Sequence, residues 1–339
     1  MVGTLLEPLG ESMRRRDFIK VVTGSAMAWP LAAHAQQSVP VIGFLSSASR
    51  EIDDVRRLPP FRQGLNETGY IESQNVAIEY RGADYRIDRL PALATDLVRR
   101  RVSLIAAVGS PASALAAKSA TATIPIVFSN AADPVQIGLV ASFNRPGGNI
   151  TGFTELGADL GAKRLGLLHE LVPSATSVAV LVNPTRPGVA AQSAQAQEAA
   201  RALGLQLHIL EVGSERDFDS AFLVLVKLRA GALVISADAL FNDHRDQIIA
   251  LASRYSVPTI YEWREAVAAG GLISYGTGRE NALRQNGILV GRILKGEKPS
   301  DLPVLRASKF ELVINLRTAK ALGLKIPSGV LSIADEVIE

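Results

Sequence analysis

Two acidic side chains follow short apolar runs in the two halves of this 339-residue chain. Asp133 comes shortly after Ile124–Phe128, and Asp238 comes shortly after Ala232–Ile235, so each lies where a buried strand would end. At the right separation, two carboxylates could work as acid and base, and either one could also bind an ammonium group. Both could equally be helix caps without any function. All three interpretations remain open from the sequence.

A second candidate is the segment that begins at Ser110, which follows the apolar run Val102–Val108. Serine is a preferred N-cap, and proline, here Pro111, is favoured at the first helical position. The amino terminus of a helix binds carboxylates and phosphates through its free N–H groups. Ordinary capping would give the same residues. We predict that this helix terminus, Ser110 with its following N–H groups, holds a ligand carboxylate.

Aromatic residues lie near predicted strand ends in the second half, at Tyr261, Trp263 and Tyr275. They could stack on a flat ligand, or they could be buried in a core. Gly276-Thr277-Gly278 lacks the third glycine of a dinucleotide loop. Neither a G-x-S-x-G elbow nor an H-E-x-x-H pair occurs. We therefore expect no catalytic residue and no cofactor.

The three histidines that follow the leader are far apart in the sequence, at His169, His208 and His244. A metal site needs several ligands that converge, and the chain has no cysteine to add to them. We expect each histidine to be structural and no metal to bind.

Strand and helix patterns alternate along the whole chain. Val39–Leu45, Val102–Val108 and Ile124–Phe128 predict buried strands in the first half, and a similar order of elements returns after roughly 130 residues. Alternation of this kind predicts parallel sheets with right-handed crossovers. The expected fold is α/β, with two Rossmann-like lobes joined by a hinge. Ligands of such sheets bind at the carboxyl ends of the strands, so the cleft between the lobes is the expected site.

The segment Arg145–Gly152, with the sequence RPGGNITG, looks like the connection between the lobes. Adjacent glycines allow backbone angles that other residues avoid. We predict a first lobe of residues 36–148, completed by about 278–308, and a second lobe of 149–277, completed by about 309–339. The predicted hinge residues are Gly147, Gly148, Asn149 and Gly276.

The first 35 residues have the pattern of an export leader. Basic residues and a twin arginine in Arg14–Lys20 precede an apolar stretch, Val21–Ala33, and an A-x-A site ends at Ala35. This order is typical of a twin-arginine signal, which predicts a periplasmic protein cleaved after Ala35. The net charge is only +3, without a basic cluster beyond the leader, so nucleic acid is not an expected partner. We expect a monomer that does not span the membrane after cleavage.

Several motifs together resemble the substrate-binding proteins of ABC transporters, of the tryptophan/tyrosine-binding type. These are the segment Arg145–Gly152 and the runs Phe61–Leu65, Ile124–Phe128, Asp133–Val135 and Lys309–Leu316. The resemblance extends over the whole chain after the leader. It implies a type I periplasmic binding protein that closes on a small solute, an amino acid or an aromatic or carboxylate compound, and delivers it to a permease with its ATPase.

By position, the resemblance also implies a set of ligand-binding residues on both lobes. They are Ser46, Ser47, Gly109, Ser110, Pro111, Ala112, Asn130 and Asp133 in the first lobe, and Asn183, Asp238, Tyr261, Glu262 and Tyr275 in the second. The loop after the first strand, Ser46–Ser49, differs from that of the aromatic amino-acid binders. Two alternatives stay open: a periplasmic enzyme on the same fold, and a sensory ligand-binding protein.

Overall fold

The structure, a computed structural model, describes residues 39–156 and 160–339. The predicted leader lies outside these residues. Pro40–Glu339 forms one compact unit. Its strands are β1 (Val41–Ser46), β2 (Ala77–Gly82), β3 (Leu104–Val108), β4 (Ile126–Asn130), β5 (Ile150–Thr154), β6 (Ser177–Val182), β7 (Gln206–Glu211), β8 (Ala232–Ile235), β9 (Thr259–Tyr261), β10 (Ile273–Gly276), β11 (Leu305–Arg306), β12 (Glu311–Asn315) and β13 (Glu336–Ile338).

Helices follow most of these strands, as the alternating pattern predicts. They are α1 (Arg50–Arg56), α2 (Leu58–Glu67), α3 (Leu90–Arg99), α4 (Pro111–Ala120), α5 (Gly161–Leu171), α6 (Val189–Ala202), α7 (Phe218–Lys227), α8 (Ala239–Asp243), α9 (Arg245–Arg254), α10 (Arg264–Ala268), α11 (Arg279–Leu294), α12 (Leu316–Ala321) and α13 (Ser328–Ser332). Short 3₁₀ turns cover Ile87–Arg89, Glu215–Asp217 and Pro299–Asp301.

The strands form two sheets. The first has the order β11-β5-β4-β3-β1-β2, and its strand pairs are all parallel. The second has the order β13-β12-β10-β9-β8-β6-β7 and is parallel except where β12 pairs with β10. The central strands are buried along their whole length, which is why their sequences are continuous apolar runs. The predicted fold of two α/β lobes is confirmed.

Each sheet has an apolar core on both faces. In the first lobe, Phe44, Ala106 and Val127 pack under α2 and α11, whereas Leu45 and Phe128 pack under α3 and α4. In the second lobe, α5, α6, α12 and α13 cover one face, and α7 to α10 cover the other.

The chain crosses between the lobes at three places, and the first lies later than we expected. Residues Ile150–Thr154 pair with β4 in register, Ile126 opposite Ile150, so they belong to the first sheet. The N–H of Glu155 still bonds to the oxygen of Asn130 (3.1 Å), so the second lobe begins only after Glu155 and not at residue 149. The other crossings lie between Gly276 and Arg279 and between Arg306 and Glu311.

The segment Arg145–Gly152 consequently does not join the lobes, and the prediction that it does is wrong. Gly147 and Gly148 have φ values of 75° and 62°, in the left-handed region where glycine is favoured. Asn149 donates from Nδ2 to the carbonyl oxygens of Thr121 (3.2 Å) and Ile124 (2.6 Å). The segment is a turn that leads into β5 at the amino edge of the first sheet, opposite the edge where the lobes meet. Gly276, in contrast, ends β10 directly before a crossing.

Candidate functional site

The carboxyl ends of the strands in both lobes meet across a narrow cleft. Its main cavity has a volume of about 30 Å³. A water molecule needs about 10–15 Å³ measured this way, so the space is smaller than any amino acid. The lobes are closed in this structure. Residues of both lobes line the cavity: Arg57, Gly109, Pro111, Ser129, Asn130, Ala131, Glu155 and Leu283 on the first side, and Arg186, Ala237, Asp238, Ala239 and Trp263 on the second.

The structure brings together about half of the ligand-binding residues expected from the sequence. Gly109, Pro111, Asn130 and Asp238 line the main cavity, and an adjacent cavity of about 10 Å³ joins Ser47, Ser110 and Asn183 to Asp238. The hydroxyl of Ser110 accepts the N–H of Ala112 (3.2 Å), so it caps α4 as expected.

The other expected residues line neither cavity. Asp133 accepts the N–H groups of Val135 and Gln136 through Oδ1 and stabilises its own turn. Tyr261 is buried in a core cluster of the second lobe, and Tyr275 stacks on Phe310. Three more residues make local contacts: Ser46 accepts the N–H of Ala48, Ala112 donates to Ser110, and Glu262 lies 3.5 Å from Arg164.

Arg186 is the cleft residue that the sequence analysis missed most clearly. It lies in the loop after β6, directly beyond Asn183-Pro184-Thr185, and it is only 5% exposed. Its Nη1 donates to Oε1 of Gln192 (2.8 Å), and its Nε lies 3.9 Å from Oδ2 of Asp238. Its Nη2 is buried without a partner among the described residues. A buried guanidinium N–H of this kind is expensive to leave unpaired.

Asp238 faces Arg186 as the acidic group of the second lobe. Its Oδ1 accepts the side-chain amide of Asn183 (3.2 Å) and the N–H of Leu240 (2.9 Å). Burial raises the pKa of Asp238 above its ordinary value, and the nearby Arg186 charge offsets only part of this effect. Asn130, from the first lobe, adds a buried Nδ2 donor without a partner among the described residues, and Ser47 adds a buried hydroxyl of the same kind.

Ion pairs and hydrogen bonds join the two lobes beside the cavity. Arg57, 1% exposed, pairs through Nη1 with Oδ1 of Asp53 (2.6 Å) and through Nη2 with Oδ2 of Asp243 on the opposite lobe (2.5 Å). Burial alone would lower the pKa of Arg57, but the two carboxylates raise it above its usual value. Arg56 donates to the backbone oxygens of Asn242 (3.0 Å) and Asp243 (3.1 Å). We call Arg56, Arg57 and Tyr85 with Asn242 and Asp243 the interlobe latch.

Tyr85 completes the latch from an unusual backbone conformation. Its φ is 60°, and that of the preceding Asp84 is 53°. Left-handed conformations cost free energy for residues other than glycine and often occur at functional sites. The tyrosine hydroxyl donates to Oδ2 of Asp243 (2.8 Å). Burial and the Asp243 carboxylate raise the pKa of Tyr85, so the hydroxyl keeps its proton and remains a donor.

A second contact between the lobes lies at the cavity wall, where Trp263 Nε1 donates to Oε2 of Glu155 (3.3 Å). Of the three aromatic residues predicted near strand ends, Tyr261, Trp263 and Tyr275, it is Trp263 that lines the cavity. Within residues 39–156 and 160–339, no cluster of three or more acidic or histidine side chains could hold a metal ion, and no helix is long and apolar enough to cross a bilayer.

Comparison with known proteins agrees with this geometry. Residues 30–338 match the family described as ABC transporter substrate binding protein. The chain belongs to this family. Its members bind a small solute and deliver it to the permease of an ABC transporter. The chain is 28% identical to the tyrosine-binding protein of Clostridioides difficile (strain R20291) over 266 residues, which cover 78% of this chain and 76% of the relative.

Solved structures of similar proteins show the same fold. A conserved domain protein from Vibrio cholerae superposes with a TM-score of 0.80 at 26% identity, and an ABC domain from Streptococcus pneumonia in complex with L-Trp gives 0.77 at 24%. Both comparisons cover 88% of this chain and 100% of the other. The ligand-free, open structure of a substrate-binding protein from Clostridium difficile gives only 0.60 at 25% identity, with 88% of this chain and 99% of the other covered. The lower TM-score against this open structure agrees with the closed arrangement of the two lobes in the present chain.

Proposed function

We propose that this substrate-binding protein captures an α-amino acid as its zwitterion between the two lobes. The observation that carries the proposal is the buried, unpartnered Nη2 of Arg186 at the cavity, 5% exposed and close to Asp238. A cation and an anion side by side in a closed cleft match the carboxylate and ammonium groups of an amino acid.

The carboxylate binds to Arg186 together with donors from the first lobe. Asn130 offers its Nδ2 and Ser47 its hydroxyl, and both are buried without a partner among the described residues. The start of α4 adds no free donor, because Pro111 has no N–H and the N–H groups of Ala112 and Ser113 already bond to Ser110. Arg186 shares one cavity with Asn130 and the other with Ser47. The ammonium group binds to Asp238, and its positive charge favours the ionised carboxylate that burial alone disfavours.

Trp263 gives the cleft an aromatic wall for the side chain of the solute. The relatives support this assignment, because the curated relative is a tyrosine-binding protein and one solved structure contains L-Trp. We therefore place aromatic amino acids first among the candidate solutes.

Binding requires the lobes to open and close again. The cavity of about 30 Å³ excludes the solute until the lobes separate. Gly276, at the crossing after β10, is the hinge residue that we retain, together with the other two crossings. The solute bridges both lobes and favours a closed form in which the strand ends are far enough apart to hold it. The closed monomer then docks on the permease and releases its solute chemically unchanged.

The protein works in the periplasm in this proposal. The leader of residues 1–35 carries it there by the twin-arginine route and is removed after Ala35.

Isothermal titration calorimetry with purified protein tests the proposal. L-Tyr, L-Trp, L-Phe and L-Leu are the solutes, with phenethylamine and 3-phenylpropionate as analogues of L-Phe that lack one charged group each. We expect an amino acid to bind and both analogues to bind at least tenfold more weakly, since a hydrogen bond to a charged group contributes about 1.5–3 kcal/mol.

Arg186→Gln should weaken binding of the amino acid by about 10- to 100-fold. The matched control is Arg201→Gln, an exposed arginine on α6, which should bind like the wild type. Equal affinity of Arg186→Gln and wild type would refute the assignment.

A further inference from the structure

A groove in the second lobe is larger than the solute cleft and is separate from it. Its volume is about 410 Å³, within the range of roughly 300–1,000 Å³ that is usual for small-molecule sites. It lies between α5 and α6 on the face of the second sheet, whereas the cleft lies at the carboxyl edge of that sheet. Its floor consists of Val180 and Val182 of β6, Val234 of β8, and Ser236, which directly follows β8.

The sequence of α6 explains why this space is not filled. Ser193, Ala196 and Ala199 share the helix face toward the groove, at spacings of three residues. On the other wall, α5 begins with Gly161 and Ala162. Small side chains on both helices cannot reach across the valine floor, so a mostly apolar groove remains. Its lining also includes Arg164, Gln195 and Glu198.

One polar group faces this apolar space without a partner. The side chain of Ser236 is 5% exposed, and its Oγ has no hydrogen-bond partner among the described residues. The backbone N–H of Ser236 is already bonded to the oxygen of Leu181 (3.2 Å), so the hydroxyl alone is unpaired. A buried hydroxyl that stays unpaired is unfavourable. A bound molecule with an oxygen atom at this point would pair it.

The polar side chain nearest the cleft end of the groove is already engaged. Gln192 is 8% exposed, lines the groove and accepts a hydrogen bond from Nη1 of Arg186 through Oε1 (2.8 Å). This bond fixes its orientation and separates the groove from the solute cleft. Ser236 is thus the buried hydroxyl left to orient a bound molecule, because the other serine of the lining, Ser193, is only partly buried.

We propose that this groove is a second ligand site, for a compact apolar molecule that carries a single hydroxyl or carbonyl oxygen. The apolar body lies on Val180, Val182 and Val234 and against the alanine face of α6. The oxygen pairs with the hydroxyl of Ser236. The site does not use the residues that bind the amino acid, so the proposal does not depend on the identity of that solute.

The test is a fluorescence titration of the mature protein with 2-naphthol, which has an apolar body and one hydroxyl. We expect saturable binding with a Kd below about 1 mM, a modest affinity for a ligand of this size. Ala196→Leu fills the groove and should weaken binding at least tenfold. Ala194→Leu is the matched control, because Ala194 is exposed on the same helix and does not line the groove, and it should bind like the wild type.

The role of Ser236 is tested by comparing two probes. Ser236→Ala should lower the affinity for 2-naphthol about fivefold. The affinity for naphthalene, which has no oxygen, should stay unchanged. Absence of saturation below 1 mM, or equal binding by the two leucine variants, would overturn the site. If Ser236→Ala loses affinity for both probes equally, the proposed hydrogen bond to the Ser236 hydroxyl is overturned. Amino-acid binding by Ala196→Leu is measured in parallel and should be normal, which separates failure of the groove from failure of the cleft.

Discussion

Arg57 and Asp243 lie 186 positions apart in the sequence and form a buried ion pair of 2.5 Å across the cleft between the lobes. Each side chain is at most 1% exposed. When the lobes separate, water can reach both groups and the pair is lost. The interlobe latch therefore stabilises the closed form even before the solute contributes, and it sets the balance on which binding acts.

Replacement of Asp243 should shift that balance toward the open form. Asp243→Asn keeps the size of the side chain but removes the charge that pairs with Arg57. Loss of one partner of a buried ion pair costs about 3–5 kcal/mol, and this cost applies only to the closed state. We expect a larger radius of gyration in small-angle X-ray scattering without solute, and an affinity for the amino acid at least tenfold weaker.

Asp246→Asn is the control for this variant. Its side chain is 69% exposed and lies 3.8 Å from Arg56, and exposed ion pairs contribute little. Scattering and affinity should match those of the wild type. If the two variants behave alike, the latch does not control closure.

The first lobe depends on a close contact between α2 and α11, which are far apart in the sequence. A Cβ at Gly287 would collide with the backbone oxygen of Phe61, and one at Gly64 would collide with that of Arg284. Gly287→Ala should therefore lower the free energy of unfolding by about 1–3 kcal/mol, measured by urea denaturation. Gly166→Ala is the opposite case, because a Cβ at this α5 position meets nothing within 4 Å. It should be neutral or stabilise by up to about 1 kcal/mol. Destabilisation of the same size in both variants would contradict the packing argument.

The sequence predicts the lobes and their strand-end loops well because both follow from local patterns. Apolar runs such as Val102–Val108 identify buried strands, and Ser110 identifies the start of a helix by its capping chemistry. The interlobe latch could not be predicted in this way. The contact between Arg57 and Asp243 forms only when the two lobes close, and no local sequence pattern around either residue predicts it.

Two errors have the same cause. The segment Arg145–Gly152 has the chemistry of a turn, but turn chemistry does not show whether the following strand joins the first or the second sheet. Arg186 lies in a loop with Pro184 and Pro187, which resembles an exposed surface loop. Its burial depends on Gln192 and Asp238, and the second of these lies on another strand-end loop.

The leader provides a prediction that lies outside the described residues. Replacement of Arg15 and Arg16 by lysine should stop twin-arginine export, because the paired arginines are the feature that identifies this route. We expect the precursor to accumulate in the cytoplasm by cell fractionation, and the exported wild type to begin at Gln36 by mass spectrometry. The control replaces Arg201, an exposed arginine of the mature protein, by lysine and should be exported normally. Export of the double variant at the wild-type level would exclude the twin-arginine route.

Asp238 should make the ligand-free protein less stable as the pH rises. Burial raises the pKa of Asp238 above its ordinary value of 3.8, so the folded state holds this proton at pH values where the unfolded state has lost it. The free energy of unfolding must then fall as the pH rises from the ordinary pKa of the carboxyl group through its raised pKa in the folded state. The loss persists at higher pH.

Asp238→Asn cannot ionise and keeps an acceptor for Leu240 and Asn183. Without solute, the variant should be more stable than the wild type at about pH 7.5, with a smaller difference at about pH 4, measured by urea denaturation at each pH. With solute the order should reverse, because the asparagine cannot neutralise the ammonium group and affinity should fall about tenfold or more. If the stability difference between the variant and the wild type is the same at both pH values, ionisation of Asp238 does not destabilise the folded state.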